Sequence, residues 1–469
     1  MNINWNDPNF QGFAGARRRA ARPKKVRKSI GSPLGRTLIN LAVTLVFGLI
    51  YFYAVLPPIS LQAPEFYVFA LLLCAVYCVC AVLTSGFQGE GPKGYFGFVK
   101  KQCRVPFFAA ALLVAVALIG AVLGWKVLRA GAYRDLLTVE TGSFADEVDE
   151  ISFDQIPMLD RDSATRLGNR KLGELADMVS QFEVADDYTQ INYKNRPVRV
   201  TPLRYGDWIK WFNNRKAGLP AYLVIDMVTQ NVDVVRLEQG IRYTTAEHFG
   251  RNLGRYLRFH YPTYLFDDPA FEIDEQGNPW WVCPRMKKTI GLFGGTDTVG
   301  AVLVNAVTGE CSYYDVADVP SWVDHVYPAE LITQQYDYHG TYIHGFINSL
   351  FGQRDVTVTT QGYNYLAIGD DVYMYTGITS VVSDESNILS NQRTKETRFY
   401  SVAGAEEYSA EASAEGQVQQ MQYKATFPLL LNIADQPTYF MALKDAAGLV
   451  KMYAMVNVSQ YQIVATGST

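Results

Sequence analysis

The densest group of side chains that could do chemistry is a run of five carboxylates: Asp267, Asp268, Glu272, Asp274 and Glu275. Paired carboxylates can serve as general acid and general base, and clustered ones can bind calcium. A solvated turn is the alternative, because Pro269 interrupts the run. Of these interpretations, the solvated turn is the favoured one for this run of carboxylates. We nevertheless keep Asp268, Glu272 and Asp274 as candidate binding residues, and we assign no catalytic residue.

A second candidate binding surface is a group of aromatic residues near position 340. Tyr336, Tyr338 and Tyr342 recur at short spacing and are followed by Phe346. Exposed tyrosines supply rigid, amphipathic contact area to a partner, whereas buried ones fill a core. We keep the three tyrosines as candidate partner-binding residues, with core packing as the alternative.

Other reactive patterns are missing from the sequence. It contains no Gly-x-Ser-x-Gly motif and therefore no serine nucleophile of that type. His339 and His344 are five residues apart, which does not align them on one helical face as a zinc-binding pair requires. Residues 291–295 are rich in glycine but lack the Lys-Ser or Lys-Thr of a nucleotide-binding loop. The sequence predicts no cofactor and no metal, and it leaves open whether the protein is an enzyme.

Two of the six cysteines, Cys283 and Cys311, lie outside the apolar N-terminal third. The strand pattern assigns them to the second and fourth strands of a meander. Non-adjacent strands lie roughly 9–10 Å apart, which exceeds the reach of a disulfide. Because Pro284 could bend the second strand, the bonding state of this pair stays open.

Three long runs without a charged residue, at 37–56, 66–85 and 105–125, predict membrane-spanning helices. Each is close to the roughly 20 residues that cross a hydrocarbon core. Residues 1–125 hold 13 Lys or Arg against three acidic residues, a net charge of +10, whereas the whole chain carries −4, so the remainder carries −14. The basic residues precede the first span or separate the second span from the third. This pattern predicts a multi-pass protein of the cell membrane with a cytoplasmic N-terminus and an extracytoplasmic C-terminal region.

The basic tail before the first span has no aromatic residues interleaved with its basic run. We therefore expect the tail to lie on anionic membrane lipid and to bind no nucleic acid.

Beyond the spans, hydrophobic spacing predicts an α+β region. Helices are expected at 163–182 and 244–260, each followed by short strands, and Thr244 with Glu247 matches a capping box. Residues 225–232 and 304–311 both place a polar residue after an apolar strand, followed by Val-Thr and a turn. This similarity predicts an internal repeat of one supersecondary unit.

Residues 246–316 resemble a PepSY domain. The resemblance rests on a helix that ends near Tyr-Pro, the stretch Asp-Glu-Gln-Gly-Asn-Pro-Trp-Trp-Val at 274–282, and the ending Asn305, Thr308, Gly309 and Glu310. A weaker copy precedes it, and the insertion at 287–298 departs from the family pattern. The resemblance implies a cystatin-like helix packed on an antiparallel sheet. It also implies a bacterial envelope protein of the kind that often regulates or assists another protein.

The sequence thus predicts an α+β protein in six parts. These are a basic tail (1–36), three transmembrane helices (37–125), an acidic connector (126–162), a first α+β module (163–240), a PepSY-like module (241–335) and a β-rich C-terminal lobe (336–469).

These expectations favour a non-enzymatic, membrane-anchored envelope protein whose extracytoplasmic domain binds or regulates an envelope or membrane protein partner. One alternative is a cell-envelope hydrolase that uses the carboxylates of residues 267–275. Another is an accessory subunit of a membrane transporter. The sequence identifies neither the partner nor the oligomeric state.

Overall fold

The computed structural model describes residues 33–85, 91–151, 155–380, 386–402, 404 and 406–468. In this part of the chain, three helices are long and apolar enough to cross a membrane, as predicted. They are α1 (Pro33–Val55), α2 (Pro64–Ser85) and α3 (Gly91–Leu123). The predicted lipid contact of the basic tail falls mostly on residues that lie outside the described ones.

The chain divides into two compact units, and the first holds most of α1 and α2 with the first part of α3. In this unit Thr84 donates a hydrogen bond to the side-chain oxygen of Asn40 at 3.0 Å. The rings of Tyr51 and Phe69 stack with centroids 5.5 Å apart. Polar side chains on membrane-spanning helices pair with each other in this way because hydrocarbon offers them no partner.

The second unit contains residues 55–67 and everything from Val114 onward. After α3 the chain forms α4 (Lys126–Arg134), β1 (Val139–Gly142) and the short helix α5 (Phe144–Glu147). Part of the segment predicted as an acidic connector is therefore folded. In particular, β1 pairs in parallel with a strand near residue 400, and Ile156 is buried.

Within residues 161–468, the described chain forms four repeats, each with a helix at its start and five antiparallel strands; the first repeat has an additional helix between its third and fourth strands, and the third repeat has an additional helix before its first strand. The first contains α6 (Arg161–Gly173), β2 (Phe182–Val184), β3 (Thr189–Asn192), β4 (Pro197–Tyr205), α7 (Trp208–Asn214), β5 (Leu219–Asp226) and β6 (Val232–Ile241). The second contains α8 (Leu253–His260), β7 (Leu265–Phe266), β8 (Ala270–Ile273), β9 (Pro279–Ile290), β10 (Gly294–Asn305) and β11 (Cys311–Asp315). The third contains α9 (Ala329–Thr341), α10 (Gly345–Ile347), β12 (Thr357–Thr359), β13 (Asn364–Ile368), β14 (Asp371–Ser380), β15 (Ser386–Asn391) and β16 (Thr397–Tyr400). The fourth contains α11 (Glu407–Gln417), β17 (Lys424–Ala425), β18 (Leu429–Ile433), β19 (Gln436–Lys444), β20 (Val450–Asn457) and β21 (Val464–Ser468).

All four repeats share one strand order. The second strand pairs with the beginning of the long third strand, and the first strand pairs with a later part of it. The fourth strand pairs with the other edge of the third, and the fifth strand pairs with the fourth. The predicted β-rich C-terminal lobe (336–469) thus covers the fourth repeat and the third repeat from the middle of α9 onward.

The turn between the fourth and fifth strands is the clearest common feature at the level of residues. In the first three repeats the fourth strand ends at Asp226, Asn305 or Asn391. The side-chain oxygen of this residue accepts hydrogen bonds of 2.7–3.0 Å from the backbone N–H groups two and three positions ahead. Such turns favour Asp and Asn because a short acceptor reaches these N–H groups. Residues 225–232 and 304–311, whose similarity predicts a repeat, occupy this same turn.

The sheet of the second repeat is buried on both faces. Trp281 and Val302 face a core shared with the first repeat. Val282 and Leu303 face the opposite way, into a core shared with the third repeat. Successive side chains of a strand point to opposite faces, so two apolar faces require near-continuous apolar strands.

Cys283 and Cys311 are free thiols. Both of their strands pair with β10, which therefore lies between them. This is the separation that the predicted meander implies.

Two predicted helices have different bounds in the structure. The helix expected at 163–182 ends at Gly173, and Phe182 already belongs to β2. The helix expected from Thr244 begins at Leu253, because Asn252 caps it by accepting a hydrogen bond from the N–H of Arg255. Glu247 does not cap this helix. It is buried and accepts hydrogen bonds from the side chains of Tyr205 and Trp211.

The insertion at 287–298 is the tip of the long β9–β10 hairpin, and this tip packs on the end of α3. Leu292 lies so close to Gly120 that a Cβ atom there would be 2.8 Å from the Leu292 Cβ. A Cβ atom at Gly124 would be 2.9 Å from the carbonyl oxygen of Ile290. The absence of side chains at the two glycines therefore allows the hairpin to pack directly against the helix.

We expect Asn305→Ala to lower the free energy of unfolding by roughly 1–2 kcal/mol, because two backbone N–H groups lose their acceptor. The midpoint of thermal unfolding of the full-length protein in detergent measures the effect. Asn305→Asp is the matched control, since Asp226 forms the same turn in the first repeat. Equal destabilisation by both substitutions would contradict this role of the turn.

We expect Gly120→Leu to displace the hairpin and to destabilise the protein by roughly 1–3 kcal/mol, as overpacking does. Limited proteolysis of the full-length protein should then cut within residues 287–298. Gly97→Leu is the control, because a Cβ atom at Gly97 of the same helix meets nothing within 4 Å. Unchanged protection of the hairpin in Gly120→Leu would disprove the proposed packing.

Candidate functional site

The link between the second and third repeats, residues 323–327, is tied to the second repeat by a buried carboxylate. Glu272 of β8 is fully buried. Its two carboxylate oxygens accept hydrogen bonds from the backbone N–H groups of Asp324 and His325 at 2.9 and 3.0 Å. The carboxylate therefore satisfies two backbone groups that the link would otherwise bury without partners.

The same link is bound by the first and third repeats. The N–H of Asn192 donates to a carboxylate oxygen of Asp324 at 2.7 Å, and His325 Nε2 lies 2.6 Å from the carbonyl oxygen of Gln190. On the other side, the N–H of Tyr327 donates to the carbonyl oxygen of Gln392 at 2.7 Å. Residues 323–327 thus join three repeats through hydrogen bonds.

Burial controls the ionisation of this network. It raises the pKa of Glu272 to about 7. Burial also raises the pKa of Asp324 well above its usual range, and the negative charge of Glu272 raises it further. The pKa of His325 falls to about 4, again because of burial, so its ring is neutral at pH 7 and donates from Nε2. Two carboxylates in such a site retain a proton to a higher pH than two separate exposed ones.

A cavity of about 660 Å³ lies beside the link, where the first three repeats meet. Its lining combines polar residues of the network with charged residues from all three repeats. Its polar and charged lining residues include Gln190, His325, Tyr365, Arg161, Arg199, Asp187, Asp267, Asp268 and Glu330.

Three of these residues, Asp267, Asp268 and Glu330, make one part of the lining acidic. Desolvation raises the pKa of Asp267, and the charges of Asp268 and Glu330 raise it further. The hydroxyl of Tyr363 donates to Glu330 at 2.5 Å. Of the ion pairs within 4 Å among the described residues, none involves these three carboxylates. The charge of Lys288 lowers the pKa of Asp267, and Arg161 and Arg199 also line the cavity. The three carboxylates thus lie near cations without being paired to one, and they can accept hydrogen bonds from a cationic group.

The predicted carboxylates have separate positions. Asp267 and Asp268 line the cavity, whereas Glu272 is enclosed in the network of the link. Asp274 forms the turn between β8 and β9, where it accepts hydrogen bonds from the N–H of Asn278 and the ring N–H of Trp280 at 2.8 and 3.0 Å. Glu275 is exposed on the same turn. The structure therefore brings together two of the five carboxylates and separates them from the others.

The predicted tyrosines hold α9 against its neighbours. Tyr336 is buried, with its hydroxyl 3.5 Å from the Thr357 hydroxyl of β12. The ring centroid of Tyr338 lies 5.0 Å from that of Tyr133 on α4. Tyr342 is also buried and stacks on Tyr338.

Sequence reasoning missed Asp187, Glu330, Asp324 and His325 as members of the site. They come from different repeats, and no local pattern joins them. Among the described residues, no group of three or more His, Cys, Asp and Glu side chains is placed to hold a metal ion.

The chain matches no protein-family model, and no curated protein or solved structure is significantly similar to it. Its function is therefore inferred from the geometry of the site.

We expect the folded protein to be more stable near pH 5.5 than near pH 8. In the unfolded chain Glu272 and Asp324 have pKa values of about 4, whereas both values are raised in the folded protein. The folded state thus holds a proton that the unfolded state releases, and stability falls as pH rises through about 7. The thermal midpoint at the two pH values measures a change of roughly 1–3 kcal/mol.

Asp324→Asn isolates this effect. Its amide oxygen can still accept from the N–H of Asn192, and its NH₂ replaces an oxygen that is buried without a hydrogen-bond partner among the described residues. We expect this variant to be more stable than the wild type near pH 8 and to depend less on pH. An unchanged pH dependence would show that other groups cause it.

Proposed function

We propose that this protein is a membrane-anchored binding protein of the cell envelope, whose extracytoplasmic region holds a basic segment of a protein partner in the cavity. The observation that carries the proposal is the acidic part of the lining, Asp267, Asp268 and Glu330, none of which forms an ion pair within 4 Å among the described residues. A volume of about 660 Å³ lies within the range of about 300–1,000 Å³ that is typical of ligand sites. Carboxylates form charge-assisted hydrogen bonds with Lys and Arg side chains, so a basic segment fits this lining best.

The repeats support a PepSY-like assignment of this region. Each has a helix followed by an antiparallel sheet, which is the arrangement that the resemblance of residues 246–316 implies. Asn305 and Gly309, which belong to that resemblance, form the recurrent turn between the fourth and fifth strands. A region of this kind would regulate or assist the protein whose segment it binds.

Contacts of the link between α1 and α2 support the proposed topology. Arg258 of α8 donates to the carbonyl oxygen of Leu56 at 3.0 Å, and the N–H of Ile59 donates to the carbonyl oxygen of Pro262 at 2.7 Å. Both favour an arrangement in which this link and the repeats lie on one side, as three crossings require. The basic flanks then favour the extracytoplasmic side.

A hydrolase is the second candidate, and the raised pKa of Asp267 beside Asp268 favours it, because a general acid needs a raised pKa. Glu272 and Asp274 fit this role poorly, since both are engaged by backbone N–H groups. Any acid–base pair in this run would therefore be Asp267 with Asp268.

The test of the binding proposal is chemical crosslinking in native membranes, followed by purification of the tagged full-length chain. We expect the wild type to retain a stoichiometric protein partner. With the triple variant Asp267→Asn/Asp268→Asn/Glu330→Gln, the amount of partner that purifies with the chain should fall at least about tenfold, because each buried charge pair contributes strongly to affinity. Amide side chains keep the acceptors for the Asp268 N–H and the Tyr363 hydroxyl, so the fold should persist.

The matched control removes three exposed carboxylates elsewhere, in the variant Asp233→Asn/Glu238→Gln/Asp318→Asn. It changes the net charge equally and should leave the partner bound. Equal loss in both variants, or a wild-type chain that purifies alone, would overturn the cavity as the binding site. Turnover of wall fragments or peptides by the wild type, lost in the first variant, would favour the hydrolase.

A further inference from the structure

A short loop after α9 presents three large apolar side chains to the outside. It consists of residues 344–355 and contains α10 and a single wider helical turn, Asn348–Gly352. Ile347, Leu350 and Phe351 are 75%, 56% and 85% exposed. These three side chains therefore lie largely outside the core.

Polar contacts close the loop at its base. His344 Nε2 lies 2.8 Å from a carboxylate oxygen of Asp355. The side chain of Asn348 donates to the carbonyl oxygen of Arg354 at 2.9 Å and accepts from its N–H at 3.2 Å. These hydrogen bonds hold the loop in the conformation that exposes its apolar side chains.

The loop packs beside the helix that continues the third span. α10 contacts α4, and Phe346 stacks on Tyr342 within a cluster that includes Tyr133 of α4. α4 begins at Lys126, three residues after α3 ends, which is about 5 Å along a helix. The headgroup layer is of similar thickness, about 5–8 Å on each side of the hydrocarbon core.

Other side chains around α4 match a membrane surface. Trp125 and Leu128 are largely exposed. Trp is enriched at the boundary between hydrocarbon and headgroups. Lys126, Arg129 and Arg354 supply positive charge near the same place, which favours lipid phosphates.

We propose that residues 344–355 form a second contact with the bilayer, in which Ile347, Leu350 and Phe351 enter the boundary between headgroups and acyl chains beside α4. The occupant of this apolar surface is the lipid of the membrane that α3 crosses. The contact fixes the orientation of α9 and of the third repeat relative to the bilayer surface. It is independent of the proposed binding cavity.

The test uses the full-length protein in vesicles of phosphatidylethanolamine and phosphatidylglycerol, with the photoreactive residue p-benzoylphenylalanine in place of Phe351. Irradiation followed by mass spectrometry of the peptide should show a lipid adduct. A matched control carries the same probe in place of Leu449, which is exposed on a turn of the fourth repeat. We expect at least about tenfold more lipid adduct at position 351 than at 449, since lipid reaches only a membrane-bound side chain.

A second variant excludes an effect of the apolar probe itself. Ile347→Asp/Leu350→Asp, combined with the probe at 351, should reduce the lipid adduct severalfold, because charged side chains oppose entry into the bilayer. The thermal midpoint should not change, since both side chains are exposed. Adducts at 351 to a protein in native membranes, or equal lipid adducts at 351 and 449, would overturn the proposal.

Discussion

The packing of the first three repeats depends on one buried carboxylate. Both carboxylate oxygens of Glu272 accept hydrogen bonds from the backbone of residues 323–327. The same segment forms hydrogen bonds with Asn192 and Gln190 of the first repeat. A buried charge is costly unless hydrogen bonds satisfy it. Here the backbone N–H groups do so, and burial raises the pKa of both Glu272 and Asp324, which favours the neutral form of these carboxyl groups. The cavity lies against this network, so its shape is set by the same hydrogen bonds.

The repeats also depend on each other for their cores. A sheet with two apolar faces needs a cover on each face. In the second repeat one face meets the first repeat and the other meets the third, as Trp281 and Val282 show from adjacent positions of β9. In the third repeat Met374 and Tyr375 of β14 divide between two cores in the same way. The four repeats therefore fold together, because the sheets of the second and third repeats would expose an apolar face if they were isolated.

The features that could be predicted are those with a local physical cause. Three uncharged runs of about 20 residues predict helices that can cross a membrane because few other structures tolerate such runs. The turn at Asp226 and Asn305 can be predicted from the sequence because the hydrogen bonds of an Asx turn are formed locally, by the side chain of the Asp or Asn residue itself. The same turn recurs at Asn391, where Thr394 and Glu396 occupy the positions of Thr308 and Glu310, but Arg393 replaces the valine of the Val-Thr pair. A pattern based on Val-Thr therefore does not reveal the third repeat.

The features that could not be predicted depend on distant contacts. Glu247 sits at the right spacing for a capping box, but the side chains of Tyr205 and Trp211 bind it instead. Asp268 belongs to the site, whereas Glu272 and Asp274, from the same acidic run, serve the backbone. No spacing rule separates them, since the difference arises from where β8 lies between two other repeats. Glu330 reaches the cavity from a helix about sixty residues farther along the chain.

The parallel strand β1 gives the protein a particular response to mechanical force. The chain enters β1 from α3, one of the helices that could cross a membrane, through α4, and it leaves the partner strand β16 toward the fourth repeat. Tension between the membrane and the fourth repeat would therefore pull the two strands past each other lengthwise. In this shear geometry all the hydrogen bonds between β1 and β16 share the load, instead of opening one at a time. The short strand β1 thus joins the helices that could cross a membrane to the third repeat in a shear arrangement, which resists extension.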